Sequence, residues 1–352
     1  MTIENLLKNL KEHAPDLDSE GIWPARQLSW LAEANVLRWV VPNAYDGLDV
    51  SAEELTQGYE QLAQACLATC FVLTQRNGAC QRISGSNNEI MKRELLPRLA
   101  RGEIFATVGI SHLTTSRQHL ANPAVQAELQ GDEIRLNGTV PWVTGAEYAD
   151  IIVTGGTCSD GTQVLVALPT SAPGVKVQSH AELMSLTASY TAPVQLNDVV
   201  LPWDHLLAGP VEGVMKQGTG GGAGSLTTST LALGVCGRSL ELIQEQADVR
   251  DDLRSVANGF SSELATLRED LYASLAGDQD QPQRSAAAIR QRSNSLVVRI
   301  TQAAMAISKG AGFLRGHPAE RAVREAMFFL VWSCPQPVVQ GVLEELSCRE
   351  GF

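Results

Sequence analysis

Asn137-Gly138-Thr139-Val140-Pro141-Trp142-Val143-Thr144-Gly145-Ala146 is the stretch of this chain with the clearest chemical character. Residues two apart on a strand project to one face, so the Trp142 indole can stack on a flat ligand while the Thr144 hydroxyl bonds its edge. The same pattern also suits a core tryptophan beside a turn. Other groupings carry less. Cys66 and Cys70 share a helix face at i and i+4, yet no His or acidic partner stands at zinc-site spacing. They read as small buried residues, and no metal is expected. His112 and His119, in SHLTTSRQH, lack an H-E-x-x-H or carboxylate pattern and read as solvated or lining residues. Residues 218–223 fit the loose G-x-G-x-x-A fingerprint, but the preceding LLAGPVEGVMKQ does not read as a strand and no βαβ unit follows. A flexible entry to a helix is expected there, not a nicotinamide fold. No G-x-S-x-G elbow is present to support an esterase-type hydrolase.

Three kinds of text must position these residues. From Asp18 to about Glu103 the spacing is helical, with Leu28, Leu31, Ala32 and Leu37 close to one face. VVPNAYDGLDVS interrupts it as a loop, and Ser51 with Glu54 forms an S-x-x-E capping box that starts the helix AEELTQGYEQLAQACLATCFVL. Gly102 is placed to end the helix EIMKRELLPRLARGEI. From about Phe105 to Val214 short β-branched runs alternate with Gly, Asp, Asn and Pro, too closely spaced for crossover helices. That predicts an antiparallel β domain, a small barrel or sandwich. After the Gly-rich run, residues 230–247, 261–276, 285–310 and 318–347 read as four helices of a bundle. The expected fold class is α+β and multidomain: an N-terminal helical domain at 1–104, a β domain at 105–215 and a C-terminal four-helix bundle at 216–352.

The chain has 352 residues, enough for two or three domains. Lys and Arg number 27 against 39 Asp and Glu, a net charge of −12 with no basic stripe, which argues against nucleic acid as a partner. No apolar run approaches a bilayer span, and the opening residues are acidic and amphipathic, unlike a signal or transit peptide. The cytoplasm is the expected address. Seven cysteines, an odd number in apolar neighbourhoods, suit reduced core thiols.

The order of helical third, β domain and helical bundle, with VPNAYDGLDVS, NGTVPWVTGA, APGVKV, SLTASYTAPVQLNDVVLPWDHLLAG, ISKGAGF and HPAERAVREA, resembles the acyl-CoA dehydrogenase family of flavoproteins. The likeness spans almost the whole chain. It implies FAD as cofactor and a homodimer or homotetramer whose bundles complete one another's flavin sites. It also implies a small-molecule substrate such as an acyl thioester, and an electron-transfer flavoprotein or flavin reductase as redox partner. Carried over by motif, Trp142 lies against the isoalloxazine, Thr144 bonds near its N5, and Ser111 meets its pyrimidine side. Gly310 and Gly312 sit near the adenosine end from a neighbouring subunit.

Departures from the family pattern bear on the reaction. Family members take the α-proton of the thioester with a Glu while hydride leaves for the flavin. The usual base position follows the aromatic of Y-E-G-T, and the aligned text here is Trp332-Ser333-Cys334-Pro335, so Ser333 stands in its place. The alternative base position falls at Thr227, and the CoA-contacting Arg of D-x-x-R appears as Thr228. The R-x-x-F-G element that meets the neighbour's FAD has no counterpart near VRDDLRSVANGF, where Arg250 and Arg254 are the candidates. Acyl-CoA desaturation is therefore the family's expectation, with two alternatives: a flavin monooxygenase or oxidase on the same scaffold, or a degenerate partner subunit.

Overall fold

The fold, from a computed structural model, describes residues 1–114, 122–216, 226–334 and 336–347. The first third is helical: α1 (Ile3–Glu20), α2 (Ala25–Glu33), α3 (Ala52–Ala65), α4 (Leu67–Ser84) and α5 (Glu89–Arg101). The capping box forms as its spacing requires. The Glu54 N–H donates to Ser51 Oγ at 3.2 Å, and the Ser51 N–H donates to Glu54 Oε2 at 2.9 Å. Gly102 ends α5 in the left-handed region, at φ 70°, with its N–H on the carbonyls of Arg98 and Leu99. One helix expected in the sequence is two: Cys66 is extended, at φ −155° and ψ 103°, and separates α3 from α4.

The middle third follows as β1 (Ala106–Val108), the single turn α6 (Ser111–Thr114), then β2 (Val125–Gln130), β3 (Glu133–Val143), β4 (Ile151–Thr157), β5 (Gln163–Pro169), β6 (Val175–Val177), β7 (Ala192–Pro202) and β8 (Leu206–Val211). Among the described residues these make one sheet in the order β6-β7-β3-β2-β4-β5-β8, with β1 beside β4. Most pairs are antiparallel, but β1 and β2 each meet β4 in parallel, because long excursions rather than hairpins connect them. β8 corrects the sequence reading of LLAGPVEGVMKQ as something other than a strand. Its Gly209 and Pro210 mask the β signal, and the strand lies at an end of the sheet path, the place where proline is tolerated.

β4 and β5 are buried on both faces. Ile151, Val153, Leu165 and Ala167 pack with α4 and α5, whereas Ile152, Val164, Val166 and Leu168 face β2, β3 and β7. Strands covered on both sides read as continuous apolar runs instead of alternating ones.

The last third holds α7 (Leu226–Ala247), α8 (Arg254–Leu275), α9 (Ala286–Ile307), α10 (Pro318–Val331) and α11 (Gln336–Leu346). Residues 318–347, expected as one helix, are two. Ser333 takes a left-handed φ of 47°, and Pro335 has no N–H to continue a helical ladder. The helices of the first and last thirds share a core, in which Leu6, Leu62, Phe71, Leu233, Ile300 and Phe329 are all buried. Gly234 permits a close approach of α7 to α3: a Cβ there would lie 2.5 Å from the carbonyl oxygen of Glu60. Among the described residues no helix is long and apolar enough to cross a membrane.

Candidate active site

One cavity of about 440 Å³ lies where the three parts of the chain meet. Ser111 reaches it from the turn after β1, Trp142 from the end of β3, Thr227 and Thr228 from the start of α7, and Trp332 and Ser333 from the turn that ends α10. Residues more than 200 positions apart thus line one space. α4 forms a long wall, presenting Phe71, Gln75, Gly78 and Arg82 at helical spacing.

The end of the cavity near α10 is aromatic. Trp332 stacks on Phe328, with ring centroids 5.4 Å apart at 20°, and meets the edge of Phe71 at 4.7 Å and 86°. Ser333 follows directly, in its left-handed conformation. Elsewhere the lining mixes apolar side chains with neutral polar ones and one cationic residue, Arg82. Tyr59 accepts a hydrogen bond from Asn77 Nδ2 at 2.8 Å, and burial pushes its phenol above the usual range. Among the described residues the lining contains no Asp or Glu.

The strand that carries Trp142 is irregular at its end. The β3–β7 register shifts between Val140 and Val143, so simple alternation no longer holds at residues 142–144. Trp142 lines the cavity with 45% of its surface exposed, whereas Thr144 is 1% exposed. The Thr144 hydroxyl pairs with that of Thr191 at 3.1 Å, and Thr191, itself in the lining, pairs with the Ser189 hydroxyl at 2.8 Å. Thr144 therefore stands one hydroxyl behind the cavity wall. Gly145 makes the turn possible: at φ 65° its N–H reaches the Ser189 carbonyl at 2.8 Å, and a Cβ would lie 2.6 Å from the Trp23 ring.

The remaining sequence candidates lie elsewhere. Gly310 is exposed and Gly312 buried on the 3₁₀ turn Lys309–Phe313, and neither lines the cavity. Arg250 pairs with Asp252 at 3.1 Å and Arg254 with Asp251 at 2.8 Å, away from the lining. His112 is neither solvated nor lining. It is buried, its Nε2 lies 2.9 Å from the Gly155 carbonyl oxygen, and burial draws its pKa down. Cys66 and Cys70 are buried, and burial pushes both thiols up. His119 and the Gly-rich run at 218–224 lie outside the described residues. Tyr59, Gln75, Arg82 and Thr191 are lining residues that the sequence reading did not single out. α4 is buried around most of its circumference, so its periodicity singles out no one face.

Residues 3–103 match the family model described as the acyl-CoA dehydrogenase N-terminal domain. A probable acyl-CoA dehydrogenase of Bacillus subtilis is 25% identical over 338 residues, spanning 91% of this chain and 88% of the relative. Over most of its length the chain is similar to acyl-CoA dehydrogenases, and its first third matches their N-terminal domain. Its architecture is that of the butyryl-CoA dehydrogenase from Megasphaera elsdenii, with a TM-score of 0.82 at 18% identity, covering 99% of this chain and 98% of that one. It is also similar to the prolyl acyl carrier protein oxidase AnaB, with a TM-score of 0.78 at 18% identity and 98% of each chain covered. Family members are FAD flavoproteins. The residues in this cavity fit such a group: Ser111 Oγ is buried with no hydrogen-bond partner among the described residues, and the Trp142 indole offers a flat apolar surface in the same space.

Proposed function

We propose that this chain is an FAD-dependent oxidoreductase of the acyl-CoA dehydrogenase type, with an acyl thioester as its class of substrate. One observation carries the reading: a single cavity gathers Ser111, Trp142, Thr227, Trp332 and Ser333. Trp142 would hold the isoalloxazine by stacking, and Ser111 Oγ would bond the polar edge of its ring. Bound there, FAD would supply the two-electron redox chemistry. The Phe71, Phe328 and Trp332 rings would exclude water around the apolar part of the substrate. Thr144, through Thr191, would fix the hydroxyl facing the ligand. Adding FAD to the purified protein and following the visible flavin band while acyl-CoA thioesters of increasing length are supplied tests this. Bleaching by any of them supports the reading. A protein that stays colourless with FAD removes it and favours the partner-subunit alternative.

A second reading follows from a lining that, among the described residues, has no carboxylate. Removal of an α-proton needs a base, and Ser333 or Thr227 unaided cannot serve at neutral pH. A monooxygenase reaction, or an oxidase reaction on a substrate that is not oxidised at an acyl Cα–Cβ bond, with O₂ as the oxidant, needs no such base. Substrate-dependent oxygen consumption in the presence of a flavin reductase, without acyl-CoA bleaching under anaerobic conditions, would favour it.

A further inference from the structure

Tyr190 adopts a left-handed backbone, φ 46° and ψ 44°, although it carries a bulky side chain. For such a residue this region is strained, and it persists only where the surroundings hold it. Aromatic rings do so here. The Tyr190 ring lies 4.1 Å from that of His180 at 34° and meets the Tyr148 ring at 5.2 Å and 71°. Tyr148 is stacked in turn on Trp23, at 4.5 Å and 7°, and Trp23 meets Phe105 at 5.3 Å and 81°. None of these five rings is in the cavity lining, yet the next residue along from Tyr190, Thr191, is.

The turn at Tyr190 brings together hydroxyls that an extended chain would keep apart. Ser189 and Thr191 flank it, and residues two apart on a strand are separated by about 6.6 Å. Here their hydroxyl oxygens are 2.8 Å apart. Thr191 Oγ1 is also 3.1 Å from Oγ1 of Thr144, which follows Trp142 by two residues. Both sides of the turn are tied by backbone: the Gly145 N–H donates to the Ser189 carbonyl at 2.8 Å, and the Ala181 N–H donates to the Thr191 carbonyl at 2.9 Å. Leu183, Leu186 and Thr191 of this segment line the same cavity as Trp142. A change of backbone at Tyr190 is therefore a change in the cavity wall.

We infer that Tyr190 is a positioning residue for the flavin: the rings around it hold the strained turn, and the turn sets Thr191 in the wall beside Trp142. The inference rests on the cavity being the flavin site proposed above. Tyr190 touches no ligand in it and acts through Thr191. The test compares Tyr190→Phe, Tyr190→Gly and Thr191→Val, with the last two also combined, in the FAD-treated full chain. Glycine adopts φ 46° without strain, so that variant removes the clamp and creates no backbone conflict. Phenylalanine keeps the ring and loses only the hydroxyl, which interacts with Tyr148. The readouts are FAD retention, the position of the visible flavin band and the midpoint potential of the bound flavin, none of which requires turnover.

Tyr190→Gly should weaken FAD retention by about threefold or more and shift the potential in the same direction as Thr191→Val. Added to Thr191→Val, it should shift the potential no further, because the two act along one path. Tyr190→Phe should stay within about twofold of the parent in retention and match its potential. Should Tyr190→Gly fail to fold, His180→Ala removes one side of the clamp, leaves Tyr190 in place and carries the same expectation. A parent-like band and potential in a clamp variant whose urea midpoint falls overturn the inference, since the rings then serve the fold alone. Additive shifts in the combined variant overturn it as well, and so does a Tyr190→Phe as impaired as Tyr190→Gly. A parent protein that binds FAD but whose flavin ignores these changes loses this inference and keeps the proposed function. A parent that takes up no FAD loses both.

Discussion

Arg290, buried on α9, donates from Nη2 to the Trp332 carbonyl at 2.7 Å and thereby holds the turn that carries Ser333 into the cavity. The same nitrogen reaches the Phe329 carbonyl at 3.2 Å. The last carbonyls of a helix have no partner within it, so a buried helix end needs donors from outside. Arg290 supplies them across the bundle. Arg290→Met should leave the Trp332 carbonyl without its donor and the Phe329 carbonyl with only the Cys334 thiol at 3.3 Å, and cost about 2 kcal/mol, read as a lower urea midpoint. An unchanged midpoint would show that the turn needs no donor from α9.

Trp142→Ala should weaken FAD retention by about tenfold or more, because it removes the flat surface in the cavity. Its effect on stability should be small, since 45% of the residue is exposed. Equilibrium dialysis against FAD with a parallel urea melt checks both. Undiminished retention would mean that the indole is only part of the strand-end packing.

Thr144→Val breaks the hydroxyl chain Thr144–Thr191–Ser189 at a buried site. A loss of about 1 kcal/mol in stability is expected, together with a changed flavin midpoint potential as the Thr191 hydroxyl reorients. A potential identical to that of the parent would separate the chain from the cofactor.

Ser333→Glu tests whether only the base is missing. Ser333 already adopts φ 47° with a Cβ, so the longer side chain adds no new backbone conflict. A carboxyl in this partly apolar cavity has a raised pKa and becomes a better base as pH rises through it. Acyl-CoA-dependent flavin reduction should appear in the variant and increase with pH. No gain, with FAD bound and the fold intact, would mean that the substrate side has been rebuilt around Thr227 and Thr228.

Arg324 joins α10 to α1. Its Nη2 donates to Glu320 Oε2 and its Nη1 to Asp18 Oδ1, both at 2.9 Å. The hydrogen bond from Arg324 holds the Glu320 carboxyl below its ordinary value, while burial acts in the opposite sense. A depressed carboxyl pKa contributes stability that is present above its unfolded value and lost as pH falls through the folded one. The parent should therefore lose stability on acidification below the ordinary Glu range. Arg324→Met should flatten that part of the profile, measured as urea midpoints across acidic pH. An unchanged slope would assign the acid response to other carboxylates.

Features settled within a few residues were legible in the sequence because their partners are close along the chain. The capping box at Ser51 and Glu54, the left-handed Gly102 and the helix start expected at residue 285 all belong to this class. So do the three kinds of text, helical, β and helical, and the family motifs that ride on them. The breaks at Cys66 and at Ser333 were less visible: apolar periodicity continues through them, and only packing against other elements shows where a helix must stop.

What the tertiary structure decided is which distant residues meet. Periodicity tells that Leu62 or Ile300 faces a core, but not that α1–α4 and α7–α10 share one, because a hydrophobic face is non-directional and carries no address. Ser111, Trp142, Thr227 and Ser333 likewise share a cavity only because α4 packs against both the sheet and α7. Arg82 is the clearest case. In the sequence it is one more cation near the end of a helix, and only the fold makes it a lining residue of the same cavity as Trp142 and Ser333.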